Sequence, residues 1–195
     1  MRIFLIKASK ARTSPDFNIK SFASSSGRLD VIARAILAAL RLSNGTRENV
    51  TFLCVLEGPP SPPKLLKVVG SEVEELPESE ISIGEIFLRL FKGEKIKGFY
   101  LENKSFKEIV SEYVRNPQAV VYYLERYGVD IRDIDFPKGK SLVFILGDHI
   151  GLDKESELFL KKMKIQVISL GPKVYFTTHC ITIVNEELDR RKLFS

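Results

Sequence analysis

The chain has 195 residues, with 30 Lys+Arg against 25 Asp+Glu and a formal net charge of +5. Hydrophobic content of 44% and charged content of 28% are ordinary for a globular protein with room for one sizeable core. No apolar run approaches the roughly 20 residues that span a bilayer, two cysteines make no disulfide framework, and two Cys with two His give no zinc-finger spacing. The expectation is a cytoplasmic protein with no metal and no membrane partner. Residues 1–50 hold nine basic residues (Arg2, Lys7, Lys10, Arg12, Lys20, Arg28, Arg34, Arg41, Arg47) and three acidic ones, a local charge of +6, so the remainder sums to −1. That asymmetry suits a polyanion-facing region or a solubilising face.

In chain order, residues 2–6 (RIFLI) read as a buried strand, an apolar run too short for a signal h-region and followed by no small-residue cleavage site. Residues 8–27 are polar and rich in Ser, Lys and Gly, long for a loop in a compact domain. Residues 28–42 (RLDVIARAILAALRL) make the strongest helix, with Ser24–Ser26 as capping candidates and Asn44-Gly45 as its end. Residues 50–56 (VTFLCVL) read as a second buried strand, and the following Gly58–Pro63 loop cannot lie in a central strand. A hairpin or edge pair is expected at 65–76, a helix at 82–92 capped by Ser82, a weak strand at 97–101 and a helix at 105–115. The last third alternates cleanly: strands at 119–124, 141–146 and 165–170, a helix at 153–163 capped by Asp153, and a closing helix at 177–191. Alternation of this kind predicts an α/β domain with a mostly parallel sheet. No repeat or separate linker divides the chain, so 1–195 reads as one domain.

Ligands of open α/β sheets bind at the carboxyl ends of the strands. Three such ends carry Leu124-Glu125, Gly147-Asp148-His149-Ile150-Gly151 and Gly171-Pro172-Lys173, the last leading to His179-Cys180. Their glycines allow close backbone approach to a flat ligand, or simply start tight turns. No GxGxxG follows a strand, and no GxxxxGK[ST], GxSxG or HExxH occurs, which disfavours nicotinamide, P-loop, hydrolase-elbow and zincin chemistry. A second constellation, Ser24-Ser25-Ser26-Gly27-Arg28-Leu29-Asp30, opens the strongest helix. It offers either an anion site or an ordinary capped helix whose Arg28 cannot reach its neighbour.

The segments SSSGRLDVIARAILAAL, EGPPSPPK, LGDHIGL and SLGPKVYFTTHCITIVNEELDRR, taken in order, resemble the archaeal tRNA pseudouridine-54 N1-methyltransferases of the SPOUT superfamily. The likeness runs from Met1 to about Arg191. It implies an α/β fold whose C-terminal part forms a deep trefoil knot, with 1–118 facing RNA and 119–195 holding S-adenosyl-L-methionine. By motif position Leu124, Gly147, Leu170, Gly171 and Cys180 would line the cofactor. The Arg28-x-Asp30 pair resembles the Arg-x-Asp that contacts the nucleoside in related ribosomal-RNA enzymes, so Arg28 and Asp30 are the catalytic candidates. Asp30 is expected to orient the base rather than take its proton, because an unperturbed Asp with a pKa near 3.9 is a poor base at neutral pH. The resemblance also implies a homodimer acting on tRNA. Lys10, Arg12, Lys20 and Arg28 are the RNA-binding candidates, with Phe17 and Phe22 between them as stacking platforms or core residues. Alternatives are another SPOUT RNA methyltransferase, a ribosomal-RNA enzyme among them, a non-catalytic RNA-binding assembly factor, or a plain α/β ligand-binding protein.

Overall fold

A computed structural model describes residues 1–194. Its seven-stranded sheet contains β1 (Arg2–Ala8), β2 (Val50–Leu56), β3 (Lys64–Val69), β4 (Phe99–Glu102), β5 (Ala119–Asp130), β6 (Ser141–Gly147) and β7 (Gln166–Ser169), in the order β4-β3-β2-β1-β6-β5-β7. The strands from β2 to β7 in that order run parallel, and β3 and β4 form an antiparallel edge. The expected α/β fold with a mostly parallel sheet is therefore present. β1 pairs with β2 on one side and β6 on the other, so both halves of the chain share one sheet.

Helices cover both faces. On one side lie α1 (Leu29–Leu40), α2 (Glu80–Phe91) and α5 (Thr177–Arg190), packed on Phe4, Ile6, Phe52, Cys54 and Phe144. On the other lie α3 (Phe106–Arg115) and α4 (Lys154–Lys162), packed on Ile3, Leu5, Val55 and Val143. This is why β1 and β2 read as unbroken apolar runs: strands buried on both faces show no alternation. The helix ends follow their local chemistry. Ser105 and Glu108 form a reciprocal capping box on α3, and the Asp153 carboxylate accepts the Ser156 N–H at the start of α4.

Several boundaries differ from expectation. No hairpin forms within 65–76. Instead β3 pairs with β2 and with β4, whose residues lie some thirty positions downstream, and 70–72 are a 3₁₀ turn. Ser79, not Ser82, caps α2, its Oγ accepting the Ser82 N–H at 3.1 Å. β5 runs on to Asp130, with a register break between Leu124 and Val129 where both face Ile168 of β7. Residues 125–128 loop out there, and Gly128 crosses the Ile168 backbone so closely that a Cβ would stand 2.6 Å from three of its main-chain atoms.

The polar 8–27 stretch is an ordered strap. The Ala8 and Ala11 carbonyls accept the Glu57 and Gly58 N–H groups at 2.9 Å, the Thr13 N–H donates to the Pro59 carbonyl at 3.0 Å, and the Thr13 hydroxyl both donates to the Gly58 carbonyl and accepts from Ser61. The proline-rich loop is thus the anvil on which the strap is folded. Phe17 and Phe22 pack against each other with tilted rings and Phe17 also meets Phe91 edge-on, both residues buried in the core. They are core residues and offer no platform to a base.

Candidate active site

The carboxyl ends of β1, β5, β6 and β7 meet at one end of the sheet, and both constellations read from the sequence lie there. Leu124, Leu170 and Cys180 are half-buried against the core, and Gly147 and Gly171 are partly open. The Thr177 hydroxyl, in the first turn of α5, donates to the Gly147 carbonyl at 3.1 Å and ties that helix to the end of β6. Gly147 sits where the chain doubles back: a Cβ there would lie 2.5 Å from the Gly151 backbone. Gly171, at φ 128°, is braced by the Ser169 hydroxyl, which accepts the Gly171 N–H at 3.1 Å and donates to the Gly171 carbonyl at 3.2 Å. Burial pushes the Cys180 thiol up to about 11, with the nearby Glu125 charge adding to it. Cys180 is therefore a protonated wall residue at neutral pH. The acidic Glu125 beside an apolar wall, with main chain from three strand ends, is a donor set that fits a cation carrying a flat apolar body.

Arg28 and Asp30 do meet, through an unusual backbone. Gly27 and Arg28 both adopt left-handed conformations, at φ 66° and 71°. For Arg28 this is a conformation L-residues rarely take, and such outliers gather at functional sites. The turn swings the Arg28 side chain forward along the helix. Its Nε donates to Asp30 Oδ1 at 3.0 Å and its Nη2 to Oδ2 at 3.2 Å. Arg34, one turn on, donates to Asp30 Oδ2 at 2.6 Å and bridges to Glu80 at 2.6 Å. The Asp30 side chain is 2% exposed, whereas Arg28 and Arg34 are about two-fifths exposed. Burial alone would raise the Asp30 carboxyl, but the two guanidiniums outweigh it and hold it below the usual carboxylate range. Of the serines, Ser26 is the capping one: its buried hydroxyl accepts the Leu29 N–H at 3.0 Å.

The N-terminal charge is less free than the composition implied. Arg2 bridges to Asp189, Lys7 to Glu57 and Asp153, Arg12 to Asp16, Arg41 to Glu78 and Arg47 to Asp189. Among the described residues, Lys10 and Lys20 are the two of the nine cations without an ion-pair partner, and both are exposed. Sequence reasoning placed Asp148 at a candidate strand end but gave it no role. This buried carboxylate accepts the Ser9 N–H at 2.9 Å and the Ser9 hydroxyl at 3.0 Å through Oδ2, and the Ile150 N–H at 2.8 Å through Oδ1. Its signal was an acid directly after a strand-end glycine. Two clefts of about 370 and 360 Å³, lined by residues such as Arg41, Glu74 and Glu78, and Ala38, Thr182 and Asp189, lie away from this end. They hold none of the candidate residues.

Residues 1–193 match the family model described as "Putative SAM-dependent RNA methyltransferase". A protein from Pyrococcus abyssi named tRNA (pseudouridine(54)-N(1))-methyltransferase is 40% identical over 97% of this chain and 98% of its own length. One of the same name from Methanococcus vannielii is 39% identical over 98% of this chain and 100% of its own. The chain belongs to the archaeal tRNA (pseudouridine-54-N1)-methyltransferase family. Its fold is also found among solved structures. Archaeoglobus fulgidus Nep1, solved bound to S-adenosylhomocysteine, superposes with a TM-score of 0.67 at 14% identity over 98% of both chains. Within the family frame, the Arg28–Asp30 turn and the glycine-bearing strand ends stand at the same end of one sheet.

Proposed function

We propose that this protein transfers a methyl group from S-adenosyl-L-methionine to N1 of pseudouridine 54 in the T loop of tRNA. The observation that carries the reading is the full-length identity of about 40% to relatives bearing that name. No helix is long and apolar enough to cross a membrane among the described residues, in keeping with a nucleic-acid substrate. Leu124, Leu170 and Cys180, with the main chain at Gly147 and Gly171, would hold the cofactor. It supplies an electrophilic methyl carbon on a sulfonium that departs as a neutral thioether. The chain's own task is alignment, worth several kcal/mol when it converts an encounter into a fixed geometry. Arg28 uses two of its N–H donors on Asp30 and turns the rest outward, toward acceptors of the nucleoside or its phosphate. Asp30, ionised and gripped from two sides, holds Arg28 in that pose. The C-terminal segment forms a trefoil knot in this reading, supported by the close crossing of Gly128 over Ile168 and by the likeness to SPOUT structures.

The working unit in this reading is a homodimer. Tyr127 in the looped-out part of β5, Ile150 after β6, and Val174 and Phe176 after β7 are all more than half exposed at the site end. A second copy of the chain is the occupant such an apolar rim calls for. Phe176→Glu should convert the dimer to monomer in sedimentation velocity; a wild-type monomer would remove the idea.

RNA contact falls to Lys10, Lys20 and Arg28, with Arg12 already engaged by Asp16. Changing Lys10 and Lys20 to Gln should weaken tRNA binding and flatten the slope of log K against log salt by about 0.7–0.9 per lost phosphate contact. Arg12→Gln should change it less. Equal effects of all three would contradict the pairing seen here. The deciding assay offers T-arm RNA containing pseudouridine or uridine at the target position and reads the nucleosides by mass spectrometry. N1-methylpseudouridine should form only from the first. Cofactor binding without transfer would favour a non-catalytic RNA-binding factor.

A further inference from the structure

Asp148 joins two loops that the chemistry needs at once. Its Oδ1 accepts the Ile150 N–H at 2.8 Å, and its main-chain carbonyl accepts the Gly151 N–H at 3.2 Å, so it shapes the 147–151 turn from within. Its Oδ2 reaches across to the residue just past β1, where it accepts both the N–H and the hydroxyl of Ser9, at 2.9 and 3.0 Å. The next residue, Lys10, lays its carbonyl against Gly27: a Cβ there would stand 2.8 Å from the Lys10 carbonyl carbon. The Arg12 N–H donates to the Ser26 carbonyl at 3.1 Å, closing the strap onto the turn that carries Arg28. A continuous line of packed backbone and hydrogen bonds thus runs from Gly147 through Asp148, Ser9, Lys10 and Gly27 to Arg28. The negative charge of Asp148 also reaches Arg28 and, with the direct Asp30 bond foremost, favours its charged form. The Asp148 carboxylate is almost wholly buried, so it is a poor candidate for contact with RNA.

We infer that Asp148 is a positioning residue that couples cofactor binding at the 147–151 turn to the nucleoside-facing turn at 27–30. The inference rests on the proposed cofactor and RNA sites. A ligand settling on the 147–151 turn fixes the Asp148 carboxylate. That carboxylate fixes Ser9, and the strap then holds the Gly27-Arg28 backbone in its left-handed pose. Energetic coupling needs such a contiguous element, and it is reciprocal: cofactor tightens RNA by the factor by which RNA tightens cofactor. Asn at position 148 can offer its single carbonyl oxygen to Ser9 or to Ile150, not to both.

The test measures the affinity of a pseudouridine-containing T-arm stem-loop with and without saturating S-adenosylhomocysteine, and the affinity of S-adenosylhomocysteine alone. In the wild type the product should tighten RNA by about 5-fold or more, the lower end of typical allosteric coupling. In Asp148→Asn the ratio should fall below about 2-fold, whatever the change in affinity for S-adenosylhomocysteine alone. Ser9→Ala keeps the fold, removes one of the two bonds, and should give an intermediate ratio. A wild-type ratio of one, an unchanged ratio in both variants, or equal loss of product and RNA affinity would overturn the coupling and leave the methyltransferase reading standing. Wild-type protein that binds no S-adenosylhomocysteine would overturn that reading itself, and the coupling with it.

Discussion

Gly27→Ala should lower the thermal midpoint by about 4–20 °C, taking about 2–4 °C per kcal/mol for a chain of this size. Two costs combine. At φ 66° an L-residue loses about 1–2 kcal/mol that glycine does not. A Cβ at this position would also run into the Lys10 carbonyl and lie 3.3 Å from the Arg12 nitrogen, both main-chain atoms of the strap. They cannot rotate away as a side chain can, and the strap is itself bonded to the Gly58–Ser61 loop, so relief must spread. Overpacking of this kind typically costs a further 1–3 kcal/mol. Gly139 supplies the control. Its φ is 76° but nothing lies within 4 Å of its would-be Cβ, so Gly139→Ala reports the backbone cost alone. Differential scanning calorimetry of both variants separates the two. Equal shifts would mean that the strap does not press on Gly27.

The sheet was legible because its signal is local. Buried parallel strands leave unbroken runs such as 50–56 and 141–146, and the helices between them carry their own caps, as at Ser105 and Asp153. What stayed hidden depends on partners distant in the chain. β3 finds β4 across the whole of α2, which no pattern within 65–76 announces. Arg47 meets Asp189 across 142 positions, and Lys7 meets Asp153 across 146, so the apparent N-terminal surplus is largely neutralised by pairing with the rest of the fold. Phe17 and Phe22 sit in a polar stretch, yet the proline loop folds that stretch inward and buries them.

The site was legible in a different way. Motif order located Arg28, Asp30 and the three strand ends, and the structure brings all of them to one end of the sheet. Spacing alone argued against an Arg28–Asp30 contact, since i and i+2 residues of a helix do not face each other. The left-handed backbone at Arg28 removes that objection by placing the arginine before the helix rather than in it. Gly128 was overlooked and Asp148 was given no role because a glycine inside a strand end and an acid after one look like turn residues. Their roles depend on the main chain passing over them.

Asp30→Asn should lower kcat/KM by about 100-fold, which is about 2.7 kcal/mol of transition-state stabilisation, with S-adenosylhomocysteine affinity unchanged. The substitution is nearly isosteric and removes only the charge. Arg28 and Arg34 then face each other over a neutral amide, and neither keeps the pose that the 2.6–3.2 Å bonds enforce. Because both guanidiniums are partly solvated, the stability loss should be moderate, about 1–3 kcal/mol, below that of a fully buried pair. The pH dependence follows from the direction of the shift. The folded-state value of Asp30 lies below its unfolded value, so its stabilisation is complete above the ordinary carboxylate pKa near 3.9 and is lost as pH falls through the folded value. Wild-type stability should therefore drop more steeply below pH 4 than that of Asp30→Asn, as followed by chemical denaturation across pH. Between pH 6 and 8 Asp30 does not change charge and contributes no limb to the rate profile. A limb in that range present in the wild type and absent in the variant would make Asp30 the proton acceptor and defeat the positioning role assigned to it.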